Sequence, residues 1–452
     1  MTSETIQAHF VATRERAARV GLCVAILLVV AAMAVPAVTG WDVRAGAFPP
    51  LHSIWVPRVG PGTPLAVLLG VLACVWAERA ARWSWPQLLG AVYLFGVLWM
   101  LALATVDGIQ GIGGILDAKT EYLQTARSVT DVGALLRGYI DRIPLDSTGH
   151  WPVHIAGHPP AALLFFTGLV RIGLGSALAA GMVVTFVAAS TTVATLLVAR
   201  RLGGETPARA AAPFLAVGPA AIWMCVSADA MFAAVAAWAT LLLACAATSR
   251  RNWVTMTAGL GAGVLYGMCL MLSYGLPILG ILAVIVLALA RAWRPLPWVA
   301  AGVIIVVAGF AMLGFAWWEA LPVLRNRYWA GIAQHRPGLY WTWADLAAVT
   351  VSAGPWVGAG IAVAIVDVRR STADEADTGR RVVAWLAIAG ALMCAAAAAS
   401  QMSRAEVERI WLPFVPWMLL ATGLLPPPWR RVGLIVQVAF AIVVQTLLYT
   451  RW

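Results

Sequence analysis

Residues 229–251 read DAMFAAVAAWATLLLACAATSRR. The run 230–248 carries no charge, and at ~1.5 Å per helical residue it reaches roughly 28 Å. That matches the ~30 Å hydrocarbon core of a bilayer. One acid, Asp229, stands at one end and two arginines, Arg250 and Arg251, at the other. Basic residues concentrate on the cytoplasmic side of membranes, so this stretch predicts a spanning helix whose Asp229 end faces outward.

The pattern repeats along the chain. Predominantly apolar runs stand at 20–39, 63–78, 87–105, 177–199, 210–227, 230–248, 254–272, 275–291, 297–317, 344–367, 381–400, 411–426 and 432–448. About thirteen crossings, within a range of eleven to fourteen, make the expected fold an all-α polytopic membrane protein. Composition agrees: 62% hydrophobic and 11% charged residues leave too little polar surface for a soluble fold of this length. A net charge of +11 would suit nucleic acid, but the arginines fall in small clusters between apolar runs. That arrangement marks cytoplasmic membrane loops and excludes nucleic acid as a partner. The cysteines Cys23, Cys74, Cys225, Cys245, Cys269 and Cys394 lie within apolar runs, with no CxxC, and read as packing residues.

Residues 1–19 read as a cytoplasmic segment and 20–452 as one transmembrane domain. The first run follows Arg14, Arg16 and Arg19 and reads as a retained signal-anchor. Alternate loops are then basic: Arg79/Arg82, Arg200/Arg201/Arg209, Arg250/Arg251, Arg291/Arg294, Arg369/Arg370/Arg380/Arg381 and Arg430/Arg431. The register holds if 159–175, apolar but interrupted by Arg171, is an interfacial helix on the outer side and not a crossing. The outer side then holds Asp42, the long loop 106–158 with short helices of its own, Asp229, the aromatic loop 317–343 and SRAEVER at 403–409. Cytoplasmic turns are short and simple, apart from the mixed-charge linker RRSTADEADTGRR at 369–381. A protein that gathers its acids, histidines and aromatics on one face is expected to work there.

Three stretches carry chemistry. In LDAKTEYLQTARSV (116–129), four-residue spacing puts Asp117 and Glu121 on one face of an expected helix, with Leu116, Tyr122 and Leu123 against the membrane surface. A plain solvated amphipathic helix would look the same. In HWPVHIAGHPP (150–160), His150, His154 and His158 recur every four residues, a spacing that could present three imidazoles to zinc. Pro152 and Gly157 interrupt that helix, Pro159–Pro160 impose extended backbone, and no acid or cysteine adjoins. A hydrogen-bonding turn and a phosphate or substrate contact therefore stand beside the metal reading. FAWWEALPVLRNRYWAGIAQHRPGLYWTWAD (315–345) sets Tyr328, Trp329 and other aromatics around Arg325, Arg327, His335 and Arg336. It reads either as an interfacial aromatic belt or as a sugar or lipid platform.

Four motifs together resemble the GT-C membrane glycosyltransferases, which use polyprenyl-phosphate sugars and include protein O-mannosyltransferases and aminoarabinose transferases. They are TEYLQTA with Glu121 and Tyr122, GHPPAALLFF with His158, SADAMF with Asp229, and EVERIWLPFVPW with Glu406 and Arg409. Their order and the chain length fit, and the resemblance covers roughly residues 100–430. Envelope proteins of high-GC Gram-positive bacteria look similar. The chain also departs from the pattern. Many GT-C members carry the key acid in the loop after the first span, where this chain has Asp42 in GWDVR. Here the TEY and HPP pair follows the third span, and Asp107 in VDG is a further contender. No clean DxD occurs in these loops, so a divalent cation stays open as a cofactor without a motif to support it, and no metal ligands are assigned.

The resemblance implies transfer of mannose, arabinose or a similar sugar from a polyprenyl-phosphate donor, with inversion. The acceptor would be an envelope glycan, lipid or protein on the extracytoplasmic face of the plasma membrane. Glu121 or Asp107 would take the acceptor's proton, its pKa raised by burial. His154, His158, Arg404 and Arg409 would hold the lipid phosphate, since a guanidinium pairs two phosphate oxygens at once. Asp42, Asp117, Asp229 and Glu406 would support them, with Tyr122, Tyr328 and Trp329 as an aromatic platform. The alternative is a transporter or flippase of a lipid-linked glycan without catalytic activity. Transporters tend to place charge mid-span and to show inverted repeats, whereas this chain has no evident repeat and only Arg171 sits away from a run's end. A structural subunit of an envelope complex is a third class.

Overall fold

The apolar runs fold as helices. The computed structural model describes residues 3–80, 82–369 and 375–450, so Arg370 and residues 371–374 of the mixed-charge linker lie outside the described residues. The chain opens with α1 (Ser3–Thr39), α2 (Gly62–Ala80) and α3 (Trp85–Ala104). The segment 106–158 follows as 3-10 turns and three short helices, α4 (Leu123–Ser128), α5 (Val132–Arg137) and α6 (Val153–Ala156), leading to α7 (Pro160–Arg171). Next come α8 (Ala177–Arg201), α9 (Glu205–Ala216), α10 (Ala221–Met224), α11 (Ala228–Thr248), α12 (Asn252–Leu272) and α13 (Gly280–Leu289). Then follow α14 (Leu296–Met312), α15 (Trp317–Ala330), α16 (Gly338–Ala353), α17 (Trp356–Arg369) and α18 (Glu375–Ser400). The chain ends with α19 (Val407–Ile410), α20 (Val415–Leu419) and α21 (Pro427–Leu447). One antiparallel strand pair, β1 (Ser53–Trp55) with β2 (Leu448–Thr450), ties the segment after α1 to the end of α21.

Eight helices among the described residues are long and apolar enough to cross a membrane: α1, α2, α3, α8, α11, α12, α18 and α21. Two bent pairs, α14 with α15 at 74° and α16 with α17 at 104°, raise the number to ten if each pair is one span. The chain is an all-α, multi-pass membrane protein. Its core is the alanine-rich α11, which packs on α8 and α12 with 78% of its spanning window buried. Small residues let helix backbones approach closely where lipid offers no hydrophobic drive between helices. At the crossing of α1 and α17, a Cβ on Gly21 would lie 2.2 Å from Gly358 O and one on Gly358 2.5 Å from Gly21 O. By contrast α14 buries only Gly302 and exposes Ile304 and Ile305, as a lipid-facing helix should.

The count of thirteen runs differs from this count for a local reason. The run 411–426 breaks into α20 and a 3-10 turn (Leu420–Leu424), and residues 411–425 are all buried. Run 210–227 breaks after Pro213 and Gly218–Pro219 into α9 and α10, and run 275–291 begins as a 3-10 turn at Pro277 before α13. Run 344–367 turns sharply at Gly354–Pro355. Apolar content marks these segments as buried, but surrounding protein can satisfy a broken backbone there as well as a continuous helix would. The run 159–175 forms the twelve-residue α7, about 18 Å long and too short for a ~30 Å core. Arg171 at its end donates to Thr130 O, keeping it against the 106–158 segment. The aromatic stretch 317–343 is helical, supplying α15 and the start of α16. All six cysteines are free, and Cys23 departs from the packing role by lying exposed on α1.

Candidate functional site

Proline and glycine shape the first part of the site. Pro152 and Gly157 confine α6 to one turn, and Pro159–Pro160 start α7 afresh. His150 therefore lies exposed outside α6, His154 is buried on it, and His158 sits in the turn beyond, so the three do not share a helix face. Among the described residues no group of histidine, cysteine and acidic side chains could hold a metal ion. Tyr139, wholly buried, fixes this turn by donating to Ile155 O at 2.9 Å and His158 O at 3.0 Å. Arg327 of α15 braces the same segment from the other side through Trp151 O at 2.8 Å and Ile143 O.

The predicted helix across 116–129 does not form as one piece. A 3-10 turn ends at Asp117, residues 118–122 are non-helical, and α4 begins at Leu123. Asp117 and Glu121 consequently part company. Asp117 pairs with Arg127 at 2.6 Å, half-exposed, while Glu121 turns inward to His154 Nδ1. Tyr122 and Leu123 pack inside the protein, not on a membrane surface. The Tyr122 ring stacks on Phe166 at 5.1 Å, and its hydroxyl meets His158 Nδ1 at 3.0 Å. His158 Nδ1 also lies 2.7 Å from His154 O, so we assign the Nδ1–H to that carbonyl and the lone pair to Nε2. Burial lowers the His158 pKa despite the nearby Asp229, keeping the imidazole neutral.

The second part comes from α11 and the 403–409 turn. Ala405 and Glu406 both adopt left-handed backbone, φ 70° and 64°, a conformation costly for side-chain-bearing residues and concentrated at functional sites. Ala405 N donates to Asp345 at 3.0 Å, and the turn launches α19 into the bundle. Arg409 on α19 meets Asp229, in the first turn of α11, at 2.8 Å, with both side chains at most 5% exposed. Its other nitrogen lies 3.9 Å from Glu406, which accepts from Arg336 at 2.9 Å. Arg409 also feels the charge of Glu121, which joins the two halves into one electrostatic unit.

That unit revises the expectation for Glu121. Burial does push its carboxyl up, but the His154 hydrogen bond and the Arg409 charge outweigh burial and hold it below its usual value. Glu406 behaves alike: burial raises it, and Arg336 with Arg409 brings it below its usual value. Burial acts to discharge Arg409, yet Asp229, Glu121 and Glu406 keep it charged. The carboxyl that burial does raise is Glu408, pushed up to about 7. It is fully buried, and among the described residues neither oxygen has a hydrogen-bond partner; its own amide lowers its pKa but does not outweigh burial. Glu408 escaped sequence reasoning although it lies inside the quoted EVER motif, and Arg336 was read only as one cation of the aromatic stretch.

Other expected site residues lie elsewhere. Arg404 spends its donors on Arg336 O (2.7 Å), Ala333 O (3.3 Å) and Gln401 (3.0 Å), and it stacks over Trp329 at 4.6 Å. Tyr328 accepts from the Arg404 amide at 2.9 Å. These three clamp the α15–α16 connection to the 403–409 turn, which leaves Arg404 poorly placed to take a phosphate. Asp42 is exposed beside Arg44 at 3.0 Å. Asp107 pairs with Arg58 and Gln445 at the mouth of a separate recess. Glu121, His154, His158, Asp229, Glu406 and Arg409 are the ones brought together.

No family model, no curated protein and no solved structure matches this chain.

Proposed function

We propose that the chain is a membrane glycosyltransferase of GT-C type, moving a sugar from a polyprenyl-phosphate donor to an envelope acceptor on the extracytoplasmic face of the plasma membrane. The observation that carries this reading is the convergence of Glu121, His154, His158, Asp229, Glu406 and Arg409, contributed by four separate stretches, in one buried cluster. Burial in low dielectric strengthens every interaction a reacting group makes there.

Glu121 is the base. An acceptor hydroxyl is a poor nucleophile, so a carboxylate must remove its proton as it attacks the anomeric carbon. A pKa held low keeps Glu121 ionised and ready to accept, while the hydrogen bond to His154 Nδ1 orients the carboxylate. The sugar–phosphate bond breaks as the new glycosidic bond forms, and the lipid phosphate departs with the bonding pair. Arg409 and Arg336 offer it cations, and the free Nε2 lone pair of His158 suits a sugar hydroxyl.

Asp229 and Glu406 hold Arg409 in place. In this reading Arg409 is the cation at the centre of three carboxylates, and no divalent ion is required. Transfer of mannose or arabinose to membrane acceptors by the purified protein, lost in Glu121→Gln, is the test. A flippase would show no turnover in detergent, where there are no two compartments.

A further inference from the structure

A second polar recess of about 340 Å³ lies beside the segment that leads to Glu121. Arg58, Asp107, Gln110, Gln445 and Tyr449 line it, and its floor includes Ala118 and Cys225. Those floor residues lie just upstream of Glu121 and Asp229, so the chain runs from this recess directly into the cluster on two sides. Its volume falls in the ~300–1,000 Å³ range of small-molecule sites.

The recess is rigidly built. Val56 N and Arg58 N donate to Leu447 O at 3.0 Å and Thr446 O at 2.8 Å, extending the β1–β2 pairing and fixing Arg58 beside Tyr449. The Arg58 guanidinium lies 5.2 Å from the Tyr449 ring centroid and pairs with Asp107. Gln445 donates to the second Asp107 oxygen at 3.0 Å. Backbone alone forms part of the wall: a Cβ on Gly111 would fall 1.9 Å from Ala104 O.

This chemistry selects a ligand class. The Arg58 and Asp107 charges cancel, so neither an anion nor a cation gains a net partner. An alkyl chain would strip water from a carboxylate, a guanidinium and two carboxamides without replacing their hydrogen bonds. A neutral polyhydroxylated ring answers all of them: planar side chains pair with neighbouring hydroxyls, and an aromatic ring covers the C–H face. We infer that this recess is a carbohydrate subsite that holds the acceptor glycan, with Asp107 binding the acceptor and Glu121 taking its proton. The acceptor role rests on the transferase reading; the carbohydrate specificity does not.

The test measures binding and transfer separately. Purified wild type, Gln445→Ala, Asp107→Asn and Glu121→Gln are titrated with a neutral mannose disaccharide and a neutral arabinose disaccharide, with inorganic phosphate as charged control. Wild type should bind at least one disaccharide and not phosphate at this site. Gln445→Ala and Asp107→Asn should weaken that binding on the order of tenfold, and Glu121→Gln should preserve it. In transfer assays Gln445→Ala should raise the acceptor KM with kcat little changed. Disaccharide binding lost in Glu121→Gln but intact in Gln445→Ala would overturn the subsite. So would sugar transfer by a protein whose acceptor KM ignores Gln445 and Asp107. Disaccharide binding that depends on Gln445, with no transfer from any donor, would uphold the carbohydrate site and sink the transferase reading alone.

Discussion

Replacing Glu408 by glutamine should change how the protein's stability responds to pH. The wild-type carboxyl is fully buried, and among the described residues neither oxygen finds a hydrogen-bond partner. Burial, with the charge of Glu406, raises it from its ordinary 4.5 to about 7. In the unfolded chain this carboxyl ionises near 4.5, whereas in the fold it stays protonated until about 7. As pH rises between those values, the unfolded state gains ionisation free energy that the folded state lacks. At about 1.4 kcal/mol per pH unit the loss amounts to about 3 kcal/mol. It is absent at low pH and complete above neutrality. Glutamine cannot ionise, so the variant escapes this loss. Its new amide adds a packing and hydrogen-bonding term of its own, but that term is the same at every pH. Unfolding of both proteins in mixed micelles, followed by tryptophan fluorescence near pH ~5 and pH ~8, isolates the pH-dependent part. The variant should gain on the wild type by roughly 2–3 kcal/mol between the two conditions. An offset that stays constant, or shrinks as pH rises, would refute the assignment of a protonated Glu408.

The Arg409–Asp229 pair should show strong coupling. Arg409→Met and Asp229→Asn should each cost about 3–5 kcal/mol, because each strands a buried charge, and the double variant should cost clearly less than the sum; additivity would mean that the two do not interact. Tyr139→Phe removes the hydroxyl that serves Ile155 O and His158 O, and should lower stability by about 1–3 kcal/mol. An unchanged melting temperature would show that the HIAGH turn is held by something else. An impermeant maleimide should label an exposed Thr120→Cys from outside intact cells, and Arg250→Cys only after permeabilisation. The reverse pattern would place the cluster on the cytoplasmic face.

Much of this architecture could be read from residue order, because hydrocarbon thickness and proline chemistry act locally. The uncharged run 230–248 became α11 almost end for end. Pro152, Gly157 and the Pro159–Pro160 pair ended the histidine helix where their backbone limits require. Side-chain direction was harder to read. Asp117 and Glu121 share a helical spacing, yet Glu121 is drawn inward by His154 and Arg409, and Arg409 lies nearly three hundred residues away in sequence. The same long-range field reversed the expected pKa direction of Glu121, since burial was foreseeable and the surrounding cations were not. Arg336 read as one cation in an aromatic belt until the left-handed turn at Ala405–Glu406 brought Glu406 onto it. Asp107 looked like a rival base because it lies just past α3, beside the same segment. Its partners, Arg58 and Gln445, come from opposite ends of the chain and are brought together by the β1–β2 pairing.

The central claim is that Glu121 deprotonates an acceptor during transfer from a polyprenyl-phosphate sugar. Single-turnover transfer of radiolabelled mannose or arabinose from polyprenyl phosphate, by wild type and Glu121→Gln in detergent, tests it most directly. The account predicts transfer by the wild type and a rate lower by about 10²–10⁴ in the variant, with donor binding retained. Equal rates in the two proteins would contradict it.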